Sequence, residues 1–218
     1  EISDYDYIAG LKSFQDGMYQ IQDISSMLAG EYTAPKAGDT IVDVCGAPGG
    51  KSINAALKMS EQGDCGRVIA RDLSDYKVAL IDENIKRLNI TNIQTQVYDA
   101  LDCDESLINK ADIVIADLPC SGLGIIGRKP DIKYNASPEK LQSLVDLQRD
   151  ILKVVSRYVK SGGVLMYSTC TINRAENEDN ADWICKESGF TKDGEYHQLL
   201  PANNSGMDGF FVARLIKS

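Results

Sequence analysis

The chain has 218 residues, 43% of them hydrophobic, with a formal net charge of -9 and a pI near 4.7. That length and apolar share allow one sizeable domain with a buried core and exclude a disordered chain; no apolar run approaches the ~20 residues of a membrane span. The acidic balance is the wrong sign for a surface that grips phosphate backbones unaided, so nucleic-acid contact would need a local basic patch.

In chain order, a lead-in precedes a segment from Met18 to Glu31 that reads as a helix, and Pro35-Lys36-Ala37-Gly38-Asp39 reads as a turn. Short apolar runs then recur: TIVDVC (40–45), RVIARD (67–72), NIQTQVYD (92–99), DIVIADLP (112–119) and GVLMYSTC (163–170). Most are near-continuously hydrophobic, the pattern of parallel strands covered on both faces. Between them lie helical patterns. One follows Ser74, a plausible N-cap, with Val78, Ile81, Ile85 and Leu88 on one face; a longer one runs from about Pro138 to Val159. Alternating strands and helices imply right-handed βαβ units in a doubly wound α/β sheet. Gly189 to Gln198 and Gly209 to Lys217 read as strands with no helix between them, expected to form an antiparallel pair at one edge.

The six cysteines, at 45, 65, 103, 120, 170 and 185, are scattered, and His197 is the only histidine. No C-x-x-C pair is present, which argues against zinc and, with no secretory leader, points to reduced thiols in a cytoplasm.

Open α/β sheets bind ligands at the carboxyl ends of their strands, so the residues that close each run carry the functional reading. The first run leads into DVCGAPGGKS, whose Gly50-Lys51-Ser52 ending is shared with a nucleotide-triphosphate P-loop. Cys45 stands where that loop needs glycine, and Pro48 removes an N–H donor from the phosphate nest. The second run ends in Asp72, about 20 residues on, where a carboxylate can accept both hydroxyls of a ribose. The third ends in Asp99. Each carboxylate alone serves equally well as a helix cap; together with the glycine turn they describe a nucleoside-bearing cofactor rather than a triphosphate.

The fourth and fifth runs end in Asp117-Leu118-Pro119-Cys120 and Ser168-Thr169-Cys170. A buried cysteine is usually a small hydrophobe, but two that close two strands at the ligand edge, one near a carboxylate, fit a chemistry. Carbon 5 of cytosine becomes nucleophilic when a thiolate adds at carbon 6, and a carboxyl group near N3 assists by sharing a proton. The residues alone leave open which thiol attacks. The loop after Cys120, SGLGIIGRKPDIKY, carries Arg128, Lys129, Pro130, Lys133 and Tyr134, a basic and aromatic segment suited to a nucleotide chain; a solvated loop is the plain alternative.

These motifs, with YSTCTINRAENED, the closing DGFFVARL and the early FQDGMYQIQDISS, resemble the NOL1/NOP2/Sun family of RNA cytosine-C5 methyltransferases from about Phe14 to Lys217. The resemblance implies a Rossmann-like adenosylmethionine-dependent methyltransferase fold, a mostly parallel seven-stranded sheet with an antiparallel C-terminal edge pair. It implies S-adenosylmethionine held by Cys45, Gly46, Ala47, Pro48, Gly49, Gly50 and Lys51, with Asp72 at the ribose, Asp99 at the adenine and Asp117 between methyl donor and target base. Cys170 becomes the nucleophile and Cys120 the thiol that assists product release. Lys51, Arg128, Lys129, Pro130 and Lys133 are the expected RNA contacts. The substrate implied is 16S ribosomal RNA, with transfer RNA, or a non-catalytic adenosylmethionine- and RNA-binding module, as alternatives. A monomer without metal or membrane contact is expected. EISDYDYIAGLKS resembles the end of a connecting subdomain, so 1–17 is expected to be the tail of an upstream RNA-binding part and 18–218 the catalytic domain.

Overall fold

A computed structural model describes residues 7–63, 66–201 and 207–218. Cys65 and positions 1–6 of the expected connector tail lie outside the described residues. In chain order the elements are α1 (Lys12–Gln15), α2 (Ile24–Thr33), β1 (Thr40–Asp43), α3 (Gly50–Glu61), β2 (Arg67–Asp72), α4 (Asp75–Arg87), β3 (Ile93–Val97) and β4 (Ala111–Asp117). There follow α5 (Ile132–Asn135), α6 (Pro138–Val155), β5 (Val159–Thr169), α7 (Glu178–Ser188), β6 (Phe190–Lys192), β7 (His197–Leu199) and β8 (Phe210–Lys217).

The strands form one sheet in the order β3-β2-β1-β4-β5-β8-β6, with β7 also paired to β8. The five from β3 to β5 are parallel, and β8 runs antiparallel to β5, β6 and β7. The order turns back between β1 and β4, which opens a crevice above their carboxyl ends. Neighbouring strand residues alternate between two cores. Val42, Val114, Leu165 and Tyr167 pack toward α6 and α7 with Leu152 and Val155; Ile41, Ile113, Ile115 and Met166 pack toward α2 and α3 with Ala55 and Met59. Both faces are covered, so each strand is apolar nearly throughout.

Three boundaries differ from the sequence expectation. The first helix begins only at Ile24, capped by Asp23, whose Oδ1 accepts from the Ser25 N–H at 2.9 Å; Met18 to Gln22 form no helix. The long helix stops at Val155, and Val159 opens β5 instead. Tyr158, between them, is buried and its hydroxyl accepts from the Asp104 N–H at 2.9 Å and donates to the Asp102 carbonyl at 3.1 Å. The expected strand over Gly189 to Gln198 is two short ones, separated at Asp193-Gly194, where Gly194 has φ 77°. The sheet therefore has eight strand segments rather than seven, with β6 and β7 sharing the place beside β8. The hydrophobic pattern does not announce α7, because its buried residues are Asn180, Ala181 and Ile184, with Trp183 and Cys185 only partly buried against the core. Among the described residues no helix is long and apolar enough to cross a membrane.

Candidate active site

The glycine turn after β1 is shaped from within. The Gly46 N–H donates to the Arg71 carbonyl at 2.7 Å, the Gly49 N–H to the Gly46 carbonyl at 2.6 Å, and the Ala47 N–H to Asp72 Oδ2 at 3.0 Å. Gly49 caps α3 with φ 105°, a conformation that favours glycine. A phosphate nest needs its N–H groups free and converging; here three are committed and Pro48 has none. The turn is a shelf at the mouth of the crevice and not a triphosphate cradle.

Asp72 closes β2 and is buried, with Oδ1 taking the Leu73 N–H at 2.8 Å and Lys77 Nζ at 3.0 Å. Asp99 lies beyond β3 and accepts the Leu101 N–H at 2.9 Å. Both line a cavity of about 470 Å³ that continues past Cys45 and Pro119 to Asp117, Cys120 and Cys170. That volume lies in the usual range for a small-molecule pocket, about 300–1,000 Å³. Apolar walls from Leu101, Leu118 and Ile151, with carboxylates at one end, fit the donor set of an adenosine. The Cys45 thiol is pushed up by burial, with Asp43, Asp72 and Asp117 adding to the effect, and acts as wall. Asp43, buried beneath the turn, is pushed up to about 6 by burial, against a hydrogen bond from Ser52 Oγ at 2.6 Å.

The two thiols meet at the other end. Parallel pairing of β4 with β5 sets Asp117 beside Ser168, so the chain leaving each strand delivers its cysteine to the same place. Cys120 Sγ and Cys170 Sγ stand 3.2 Å apart as free thiols. The hydrogen bond between them treats them oppositely. Cys170 is lowered by the bond from Cys120, with Lys51 adding attraction, against burial and Asp117. Cys120 is raised by that same bond, then by burial and by the Cys170 charge. The bond therefore favours Cys170 over Cys120 as the first of the pair to ionise.

Asp117 accepts Ser168 Oγ on Oδ1 at 2.7 Å and Lys51 Nζ on Oδ2 at 2.6 Å. Lys51 also reaches Ser26 Oγ at 3.1 Å and lies 5.3 Å from the Phe210 ring centroid. It is drawn inward, with its side chain 11% exposed. A smaller cavity of about 250 Å³ adjoins on the α2 side, lined by Gln20, Gln22 and Ser26 with Lys51 and Asp117.

On the loop after Cys120, Lys129, Pro130 and Lys133 are exposed, and Lys133 Nζ lies 4.8 Å from the Tyr134 ring centroid. Arg128 is tied to Asp23 and to Asp208, the latter at 3.1 Å, so it braces the loop against the segment before α2 and the approach to β8. Ser26, Lys77 and Ser168 touch the predicted residues without having been singled out; their signal is spatial, since hydroxyls and lysines are common in any sequence. Among the described residues no group of three or more His, Cys, Asp or Glu side chains is placed to hold a metal ion.

A family profile described as 16S rRNA methyltransferase RsmB/F matches residues 31–216. The chain is 38% identical to the probable ribosomal RNA small subunit methyltransferase B of Bacillus subtilis, over 96% of this chain and 50% of that protein. It is 34% identical to the Synechocystis protein of the same description, over 97% and 50% respectively. The structure of NSun6 from Pyrococcus horikoshii with SFG, an adenosylmethionine analogue, superposes with a TM-score of 0.85 at 28% identity, over 98% of this chain and 56% of that one. The chain thus spans about half the length of the curated relatives it matches. With that match over most of its length, carried on a mixed α/β sheet whose strand ends hold the turn, the carboxylates and the paired thiols, the chain belongs to the RsmB/F methyltransferase family.

Proposed function

We propose that this chain is the catalytic part of an RNA methyltransferase that methylates carbon 5 of a cytosine in small-subunit ribosomal RNA. The observation that carries the reading is the thiol pair at 3.2 Å, opening with Asp117 into the cavity that also holds Asp72 and Asp99. Asp72 would hold the ribose and Asp99 the adenine edge of adenosylmethionine, which when bound supplies the methyl group. The relatives' description as small-subunit methyltransferases supports the substrate.

The chain's own residues order the steps. The Cys170 thiolate adds to carbon 6 of an unpaired cytosine, the S–C6 bond forms, and the C5–C6 electron pair moves to carbon 5, the position that receives the methyl group. Asp117, held by Ser168 and Lys51, engages the N3 edge of the base. Forming the S–C6 bond removes the charge on Cys170 that keeps the Cys120 proton in place. Cys120 therefore becomes easier to ionise only after the adduct exists, the order that release needs. Loss of the C5 proton to a base returns the electron pair and expels Cys170. The base must be flipped out or unpaired to be reached; Lys129 and Lys133 face the solvent side from which RNA arrives, and Arg128 holds their loop.

The test is a covalent trap in the full natural protein. Cys120→Ala is expected to accumulate a protein–RNA adduct that survives denaturation, and adding Cys170→Ala is expected to abolish it. An adduct that persisted without Cys170 would overturn the assignment. Bisulfite mapping of total RNA from cells with and without the protein identifies the substrate: loss of one small-subunit methylcytosine supports the reading, and loss of a transfer RNA site replaces it.

A further inference from the structure

The motif that follows Cys170, TINRAENED, contains a carboxylate to which the chemistry above gives no role. Glu176 is fully buried, and among the described residues it makes no ion pair. A buried charge without a cation is costly unless its hydrogen bonds are complete. Here they are: Oε2 accepts the Ser121 N–H and Gln148 Nε2, both at 2.9 Å, and Oε1 accepts Asn173 Nδ2 at 2.9 Å.

Those donors belong to the two thiol loops and to α6. Ser121 follows Cys120, and Asn173 lies three residues after Cys170. Gln148, on α6, also donates to the Pro119 carbonyl at 2.9 Å, so both neighbours of Cys120 are gripped through Glu176 and its partner. The loops are laced directly as well, because Ser121 Oγ and Thr171 Oγ1 are 2.7 Å apart. Next to Glu176, Asn177 receives Thr169 Oγ1 at 2.6 Å and donates to the Thr171 carbonyl at 3.0 Å, which holds both neighbours of Cys170.

We infer that Glu176 is a positioning residue that sets the spacing of the two thiols by tying their loops to one buried, acceptor-only group. The inference rests on the two-thiol reading above. All three partners are donors, so both oxygens must accept. An amide of the same shape would aim an NH2 group at one of those donors and force the loops apart, whereas a side chain that merely filled space would tolerate the exchange.

The test uses the chain with its free thiols and needs neither RNA nor methyl donor. Glu176→Gln is compared with wild type for the pH dependence of Cys170 alkylation by iodoacetamide. A second readout is bridging by phenylarsine oxide, which condenses with two adjacent thiols to form two As–S bonds and water, with no change of oxidation state. Tyr158→Phe, far from the thiols, is the control for general destabilisation. Expected are Cys170 alkylation at pH 7 slower by about tenfold or more, displacement of its profile to higher pH, and weaker arsenical bridging, with Tyr158→Phe unchanged in all three. An alkylation profile and arsenical affinity equal to wild type would overturn the inference. Where Glu176→Gln does not fold, Asn173→Ser, which keeps a capping oxygen and removes one donor, carries the same expectation to a smaller degree and the same refutation. Failure here with the Cys120→Ala adduct intact would remove only the role of Glu176; loss of the adduct with thiol coupling intact would remove the methyltransfer reading.

Discussion

Gly124 offers a direct test of how closely the backbone is packed behind the thiols. It lies in the short turn Leu123–Ile125, its N–H donates to the Cys170 carbonyl at 3.1 Å, and its carbonyl accepts the Gly209 N–H at 2.8 Å. A methyl group there would fall 2.2 Å from the Gly209 carbonyl oxygen and 2.8 Å from that of Cys170. Both neighbours are backbone, so no side chain can turn aside; the segments must part by roughly 1.2 Å to bring the nearest contact to the ordinary 3.4 Å. Overpacking of this kind costs about 1–3 kcal/mol. For a domain of this size each kcal/mol lowers the melting temperature by roughly 2–4 °C, so Gly124→Ala should melt about 2–12 °C below wild type. The displacement falls chiefly on Gly209 but also presses on the Cys170 carbonyl, so alkylation of Cys170 should slow as well. Gly127→Ala is the control, because a methyl group at Gly127 meets nothing within 4 Å. Thermal unfolding by circular dichroism, with alkylation followed by mass spectrometry, reads both effects. A Gly124→Ala protein with wild-type melting and wild-type Cys170 reactivity would refute the close approach.

Three further expectations concern charge and ligand. Because the Cys120–Cys170 hydrogen bond lowers Cys170 and raises Cys120, iodoacetamide near neutral pH should modify Cys170 ahead of Cys120, and Cys120→Ala should displace the Cys170 profile to higher pH; equal labelling of the two thiols would contradict the asymmetry. Asp43, ordinarily at 3.8 and raised to about 6 in the fold, binds its proton more tightly folded than unfolded, so it weakens stability progressively as pH rises between those values. The difference amounts to about 3 kcal/mol at 1.36 kcal/mol per unit. Urea denaturation should show Asp43→Asn gaining on wild type by that order across about pH 4 to 6 and no further above it; a pH-independent difference would refute the assignment. Adenosylmethionine should raise the melting temperature by mass action, and ATP with magnesium should not. Asp72→Ala should remove that shift, and a shift that survived would move the ribose site elsewhere.

Much of the architecture was legible along the chain. The runs at 40–45, 67–72, 112–119 and 163–170 became β1, β2, β4 and β5, because a strand covered on both faces must be apolar at nearly every position. Ser74 caps α4 as its position implies, its hydroxyl oxygen accepting the Lys77 N–H at 3.4 Å. The less legible parts are those whose partners are polar or distant. The helix α7 buries Asn180, whose amide serves Gln148, so its inner face carries little hydrophobic signal. Val159 and Tyr158 satisfy a helical period as well as they satisfy the start of a strand, and the sheet decided between them. Gly194 breaks the last short strand where a pattern of single residues showed continuity.

The candidate site divides in the same way. Sequence alone determined which groups close the strands: the glycine turn, Asp72, Asp99, Asp117, Cys120 and Cys170 are adjacent to runs whose period names them as strand ends, and open sheets gather strand ends on one edge. Sequence chemistry did not distinguish the two thiols, and it placed Lys51 facing a ligand. The tertiary structure adds the contacts that bear on both. Cys120 and Cys170 are 50 residues apart in the chain, and only the parallel register of β4 on β5 brings their sulfurs within hydrogen-bonding distance, which shifts the two thiols in opposite directions. The same packing turns Lys51 inward onto Asp117 and seals Glu176 beneath both loops. Local periodicity encodes where elements lie; the state of a proton depends on which groups converge, and that convergence exists only once the sheet has formed.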